Sequence, residues 1–151
     1  MAHVVESIDK LRSLLRGELS AVETYLQAIE KFDDDHVKNE LQGMLDGHRR
    51  AVKQLGALVS ERGGEPDTSS GPWGSWARLF TGAAKMVGPD TTLLALREGE
   101  DHGAKEYQEA LGDDDVDAEC KDIIRSQFLP AQRDRLERLE GLAEFYKNQW
   151  K

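Results

Sequence analysis

GELSAVETYLQAI (residues 17–29) and GEDHGAKEYQEAL (residues 99–111) decide how this chain folds. Each opens on Gly-Glu and then sets Tyr, Ala and an aliphatic residue at the same offsets: Tyr25, Ala28 and Ile29 in one, Tyr107, Ala110 and Leu111 in the other. Matches kept in register over a helical span indicate an internal repeat. They imply two related helical hairpins, each supplying half of a pseudo-symmetric four-helix bundle.

Outward from these stretches, apolar residues recur at three- and four-residue steps, and no segment shows sustained strand-type alternation, so the chain reads as all-α. The first helix is expected over Val5 to Phe32, with Ser7 as its cap and Ile8, Leu11, Leu15, Val22, Tyr25, Ile29 and Phe32 along one seam. An acidic turn, Asp33 to Asp35, precedes a second helix over His36 to Arg62, with Leu41, Met44, Leu55 and Leu58 inward. Gly63-Gly64 supplies the residue type that helix C-termini prefer. The third spans Asp90 to Leu111, with Leu93, Leu96, Tyr107 and Ala110 inward, and Asp113 to Asp115 close it. The fourth runs from Val116 to Asn148, with Leu129, Leu136, Leu139, Ala143 and Tyr146 as its stripe and a kink expected at Pro130, which lacks a backbone donor.

Between Gly64 and Asp90 the composition turns to Gly, Pro, Ser and Thr, a connection too long for an antiparallel turn, so helices two and three are expected to run parallel. Within it Trp73, Trp76, Phe80, Ala83 and Val87 repeat at helical spacing, which predicts a short amphipathic helix across the bundle. Core cover is the reading adopted. Attachment to a membrane surface would call for a more basic polar face than Arg78 and Lys85 provide.

The 151 residues suit a single domain, 1–151, and 20 Lys and Arg against 29 Asp and Glu give a net charge of −9. That balance disfavours nucleic acid as a partner. No apolar run reaches membrane-spanning length, and the first ten residues lack a signal-peptide core, so the cytoplasm is expected. Cys120, the single cysteine, can form neither an internal disulfide nor a cysteine-based zinc site, and without a basic neighbour it reads as a packing or surface residue. No phosphate loop, hydrolase elbow or Ser-His-Asp arrangement appears.

Each helical seam is interrupted near its middle by one polar residue: Glu18, His48, Glu100 and Gln132. The four should meet at one level in the bundle centre. Buried carboxylates there demand a cation, a shared proton or hydrogen bonds. Gly17, Gly47 and Gly99 each precede one of these residues, although Gly inside a helix costs about 1 kcal/mol relative to Ala, which points to close approach or to space beside the layer. A seam displaced by one residue would instead bring Glu23, Glu98 or His102 inside. His102 beside Asp101 reads as part of a solvated face, and His3 and His36 lie near helix ends. Tyr25 and Tyr107 read as bulky filling, with donation of their hydroxyls to the layer as the alternative.

The segments GELSAVETYLQAIEKF, LVSERGGEPD and LREGEDHGAKEYQEAL, with the long crossover between them, resemble the ferritin-like superfamily over about residues 5 to 145. More narrowly, they are similar to bacterial ferritin-like domains of unknown function. Catalytic ferritin-like proteins hold two iron or manganese ions with one Glu from each of two helices and a Glu-x-x-His pair from each of the others. By position, Glu18 and Glu100 match the lone carboxylates. The remainder departs from the pattern, because Leu45 stands three residues before His48, and Leu129 and Arg135 flank Gln132, so the resemblance implies a degenerate di-metal site. Two readings stay open for the centre. It is a hydrogen-bonded layer of Glu18, Glu100, His48 and Gln132, or it holds one divalent Fe, Mn or Zn ion at Glu18, His48 and Glu100.

The reading adopted is a bundle without enzymatic activity that works through its surface, as a homo-oligomer or by binding a protein partner, and the resemblance implies a bacterial, stress-related role. The alternative is a mononuclear metal-binding protein with weak redox or peroxide chemistry.

Overall fold

A computed structural model describes residues 2–71, 76 and 86–149. Among them the helices are α1 (Ala2–Ile29), α2 (Asp35–Glu61), α3 (Pro89–Leu111), α4 (Ala118–Ile123) and α5 (Leu129–Gln149), and no strand occurs. A π-helical turn, Ile124–Phe128, joins α4 and α5 into the fourth rod of a four-helix bundle.

Local chemistry accounts for the boundaries. The Asp34 carboxylate caps α2 by accepting from the Val37 N–H at 3.1 Å. At its other end Gly63 adopts φ +86°, a left-handed conformation suited to glycine, which lets the Gly64 N–H return to the Val59 carbonyl at 3.0 Å. The start of α3 pairs Pro89 at its first turn with Thr91, whose Oγ1 accepts from the Gly88 N–H at 3.0 Å. Ser7 is no cap: α1 begins at Ala2, and Ser7 lies buried inside the helix. The irregularity expected at Pro130 falls one turn earlier, as the π-helical turn, where the Leu129 N–H reaches back to the Ile124 carbonyl. A proline ring crowds the carbonyl four residues before it, and widening the preceding turn relieves that contact.

Side-chain pairs define the helix directions. Glu18 meets His48 while Tyr25 meets Met44, so α1 and α2 are antiparallel. Tyr25 meets Glu100 while Glu18 meets Tyr107, so α1 and α3 are antiparallel too. It follows that α2 and α3 run parallel, as the length of the crossover requires. That crossover lies along α1: Arg12 and Arg16 bind Asp67 at 2.7 and 2.9 Å, and Ser70 Oγ donates to Glu23. Within the expected amphipathic helix, Trp73, Phe80 and Ala83 lie outside the described residues. Trp76 is buried in the core, whereas Val87 is exposed.

The interior is apolar at both ends and polar in the middle. One cluster gathers Leu11, Leu15, Leu55, Tyr107, Ile124 and Phe128, and another Tyr25, Phe32, Leu41, Trp76, Leu96 and Leu139. Glycines seat the larger side chains at the junction. A methyl group built on Gly99 would collide with the six-membered ring of Trp76, and one on Gly103 with the Gln132 amide.

This packing sets opposite outcomes for two Gly→Ala substitutions. Gly99→Ala should lower stability by about 1–3 kcal/mol through overpacking against Trp76. Gly141→Ala on α5, with open space at its Cβ, should raise it by about 0.5–1 kcal/mol through helix propensity. Urea midpoints measured side by side decide this, and a stabilised Gly99→Ala protein would contradict the placement of the indole.

Candidate functional site

All four polar interruptions are buried and meet at one level: Glu18, His48, Glu100 and Gln132. The imidazole of His48 lies between the two carboxylates, with Nδ1 2.5 Å from Glu18 Oε2 and Nε2 2.6 Å from Glu100 Oε1. The tyrosines complete the repeat in space. Tyr25 on α1 donates its hydroxyl to Glu100 Oε1 at 2.7 Å, and Tyr107 on α3 donates to Glu18 Oε1 at 2.6 Å. Each half of the repeat thus supplies the donor for the other half's carboxylate. Hydroxyl donation, the alternative role at the sequence level, is what both tyrosines perform.

Arg135 is the member of the layer that periodicity missed. Its Nε lies 3.1 and 3.0 Å from the two oxygens of Glu100, its Nη2 donates to Gln132 Oε1, and the residue is only 6% exposed. Gln132 in turn donates Nε2 to the Glu100 backbone carbonyl at 3.0 Å, so it orients the guanidinium and leaves the carboxylates to others. Leu136, expected on the stripe, is half-buried instead. One signal did mark Arg135 in the sequence: it stands one turn after Gln132, where an inward side chain is due, but an arginine reads as surface until an acceptor is known to face it.

Two basic side chains, His48 and Arg135, and two acidic ones, Glu18 and Glu100, therefore face one another in the centre. Burial would push the Glu100 carboxyl up, but the charges of His48 and Arg135 and the hydrogen bonds outweigh it and hold the group down at about 2. Burial likewise opposes protonation of His48, and the carboxylates of Glu100 and Glu18 overcome it and raise the imidazole above its ordinary value. Burial first, then the facing carboxylates, push both Tyr25 and Tyr107 well above their ordinary range, so the phenols stay protonated donors.

The remaining candidates lie elsewhere. Glu23 and Glu98 are exposed and His102 is half-exposed, 2.5 Å from Glu106 on the same helix, so the displaced-seam alternative does not describe this fold. His36 is exposed at the start of α2, and the side chain of His3 lies outside the described residues. Cys120 is buried, and burial together with Asp117 pushes its thiol up to about 12, which makes it a packing residue.

A metal centre of the type the fold suggests finds few free donors. Both ring nitrogens of His48 are engaged, Leu45 is apolar, and Gln132 with Arg135 stands where a Glu-x-x-His pair would be needed. Among the described residues no group of three His, Cys, Asp or Glu side chains is arranged to hold an ion. Trp76 packs edge-on to the His48 ring at 5.7 Å between centroids, and the space left beside Glu18, Trp76 and Gly103 is about 10 Å³. That is too little for a hydrated ion. As arranged, these residues do not fit a dinuclear centre.

The pKa shifts have opposite consequences at the two ends of the pH scale. Glu100, lowered from 4.5 to about 2, contributes stability that is present above pH 4.5 and is lost as pH falls toward 2. His48, raised above 6.5, contributes stability that is fully present below pH 6.5 and is lost as pH rises through its folded value. Unfolding free energies should therefore peak between these limits, and His48→Gln should flatten the alkaline limb. A His48→Gln profile parallel to the parent above pH 7 would mean that the imidazole carries no charge in the fold.

Over residues 6–113 the chain matches the family described as a domain of unknown function (DUF2383). No curated protein matches it. Among solved structures it is similar to a crystal structure described as ferritin-like, diiron-carboxylate proteins from Bacillus anthracis str. Ames. The TM-score is 0.74 at 18% sequence identity, over 95% of this chain and 99% of that one. At that identity the likeness establishes the fold, and the iron belongs to the description of the other protein. With a family match over most of its length, the chain belongs to the DUF2383 family, a domain of unknown function, and its bundle has the ferritin-like fold.

Proposed function

We propose that this protein is a metal-independent ferritin-like bundle, without enzymatic activity, that acts through its surface by self-association or by binding a protein partner. The observation that carries this reading is the charge balance of the centre: Arg135 and His48 neutralise Glu18 and Glu100 without help from outside the chain. A cation entering this layer would have to displace a guanidinium or an imidazolium from its carboxylate, and two positive charges at such distances repel strongly in a medium of low dielectric. The layer's work is then structural. Buried polar groups that must find one another set helix register, as a polar residue in a coiled-coil seam does.

A soluble bacterial cytoplasmic protein with a stress-related role is the setting that the resemblance of the sequence supports; among the described residues no helix is long and apolar enough to cross a membrane. Val5, Leu26 and Leu94 are large apolar side chains that stay exposed and are available to a partner or a second copy. Light scattering reads the second possibility directly.

The rival reading keeps Glu18, His48 and Glu100 as ligands of one Fe, Mn or Zn ion, with weak redox or peroxide chemistry. Protein purified without chelator should carry far less than one equivalent of metal, and its unfolding midpoint should not move with added Mn, Fe or Zn. About one equivalent of bound metal, lost in Glu18→Ala or Glu100→Ala, would replace the metal-independent reading with its rival. Glu100→Ala should in addition destabilise the fold by about 3–5 kcal/mol, because it leaves Arg135 and His48 buried without their shared carboxylate.

A further inference from the structure

The polar layer is sealed on the side of Trp76 and open on the other. Between α2 and the fourth rod runs a cleft of about 630 Å³ whose floor reaches Glu18 and Arg135. It exists because small residues, Gly43, Gly47 and Ala51 on α2 and Ala131 on α5, face each other across the gap. Side-chain contacts bridge its two ends: Gln54 donates to Gln127 at 2.6 Å, and Arg138 reaches Glu40 at 3.4 Å. A volume of this size suits a small organic molecule.

The cleft's electrostatics run against those of the chain. Arg50, Lys53, Arg135 and Arg138 line it against Asp134 and Glu18, four cations to two anions, on a molecule of net charge −9. Arg138 is committed to Asp134 and Glu40. Arg50 and Lys53 are exposed at the cleft and have no ion-pair partner among the described residues. The decisive group is Arg135. Its Nε serves Glu100 and its Nη2 serves Gln132, but Nη1, the nitrogen over Gly47, donates to no side chain or carbonyl among the described residues. A Cβ at position 47 would stand 3.1 Å from Nη1, so the glycine keeps that donor clear. A buried guanidinium with one unused N–H edge, fixed by two other partners, is a preorganised oxyanion donor. Met44 and Phe128 supply apolar wall beside it.

We infer that the cleft between α2 and α5 binds a small organic oxyanion, a carboxylate or a phosphate ester, with its charged end on Arg135 Nη1 and the Arg50 and Lys53 side chains at the mouth, and its carbon skeleton against Met44 and Phe128. The site goes beyond the metal-independent reading of the centre and requires no catalysis.

The test titrates the intact protein with inorganic phosphate and, separately, with butyrate at constant ionic strength. It follows the Arg135 Nε–H resonance by nitrogen-edited NMR and heat by calorimetry. Saturable binding of at least one probe that shifts this resonance is expected. Phosphate alone would identify the phosphate class, and butyrate alone the carboxylate class. Arg50→Gln combined with Lys53→Gln, both exposed and outside the ionic layer, should weaken binding by about tenfold or more, the scale of one lost charge-assisted hydrogen bond. Ala131→Leu, which fills the cleft, should abolish binding while thermal unfolding shows that the bundle is intact. The inference is overturned if neither probe saturates, if the Arg135 resonance does not move, if the double charge variant binds as the parent does, or if Ala131→Leu leaves binding unchanged.

Discussion

The ion pair between Arg135 and Glu100 is the contact on which the rest of the centre depends. A guanidinium taken out of water loses several kcal/mol of solvation, and only a carboxylate at hydrogen-bond distance offsets that loss. Glu100 supplies it, at 3.0 Å, and the same carboxylate also receives His48 and Tyr25. Once Arg135 is held there, Gln132 is drawn to the Glu100 backbone and to the guanidinium, and Gly47 places no side chain against the guanidinium, where a Cβ would stand 3.1 Å from Nη1. His48 can then carry a proton between two anions, which leaves the layer neutral.

The internal repeat gains a physical meaning from this arrangement. Related hairpins that pack about a pseudo-two-fold axis bring equivalent residues to face their counterparts' neighbours, so Tyr25 meets Glu100 and Tyr107 meets Glu18. Symmetry ends at the second helix of each hairpin. One hairpin contributes a single imidazole, and the other an amide and a guanidinium one turn apart. This asymmetry puts Arg135 and the open cleft on one side, and Trp76 against Gly99 on the other. A ferritin-like frame that elsewhere accommodates metal thus encloses an ionic layer assembled from its own side chains.

Such a layer divides the hydrophobic interior into two clusters and contributes little net stability by itself, because desolvation offsets most of the Coulomb gain. Its effect is on uniqueness. Sliding one helix by a turn would leave a buried carboxylate or guanidinium without a partner, whereas an all-leucine seam would tolerate the slip. The open flank has a different consequence: Glu18 has two partners where Glu100 has three side-chain donors, and Glu18 is the carboxylate at the floor of the cleft.

Much of this was legible in the sequence. Periodicity located four helical rods to within a few residues of their ends, and the length of the crossover implied parallel second and third helices. The interruptions at Glu18, His48, Glu100 and Gln132 marked the polar level, because a three-to-four-residue repeat reports which face of each helix is buried. The same repeat is silent on how helices are rotated against one another. Only tertiary packing could therefore turn Arg135 inward and leave Leu136 half-buried, aim both tyrosine hydroxyls across the bundle, lay Trp76 on Gly99, and hold α2 away from α5 to open the cleft. Each of these depends on which polar group stands opposite, at what distance, and a single helix carries no information about its partner.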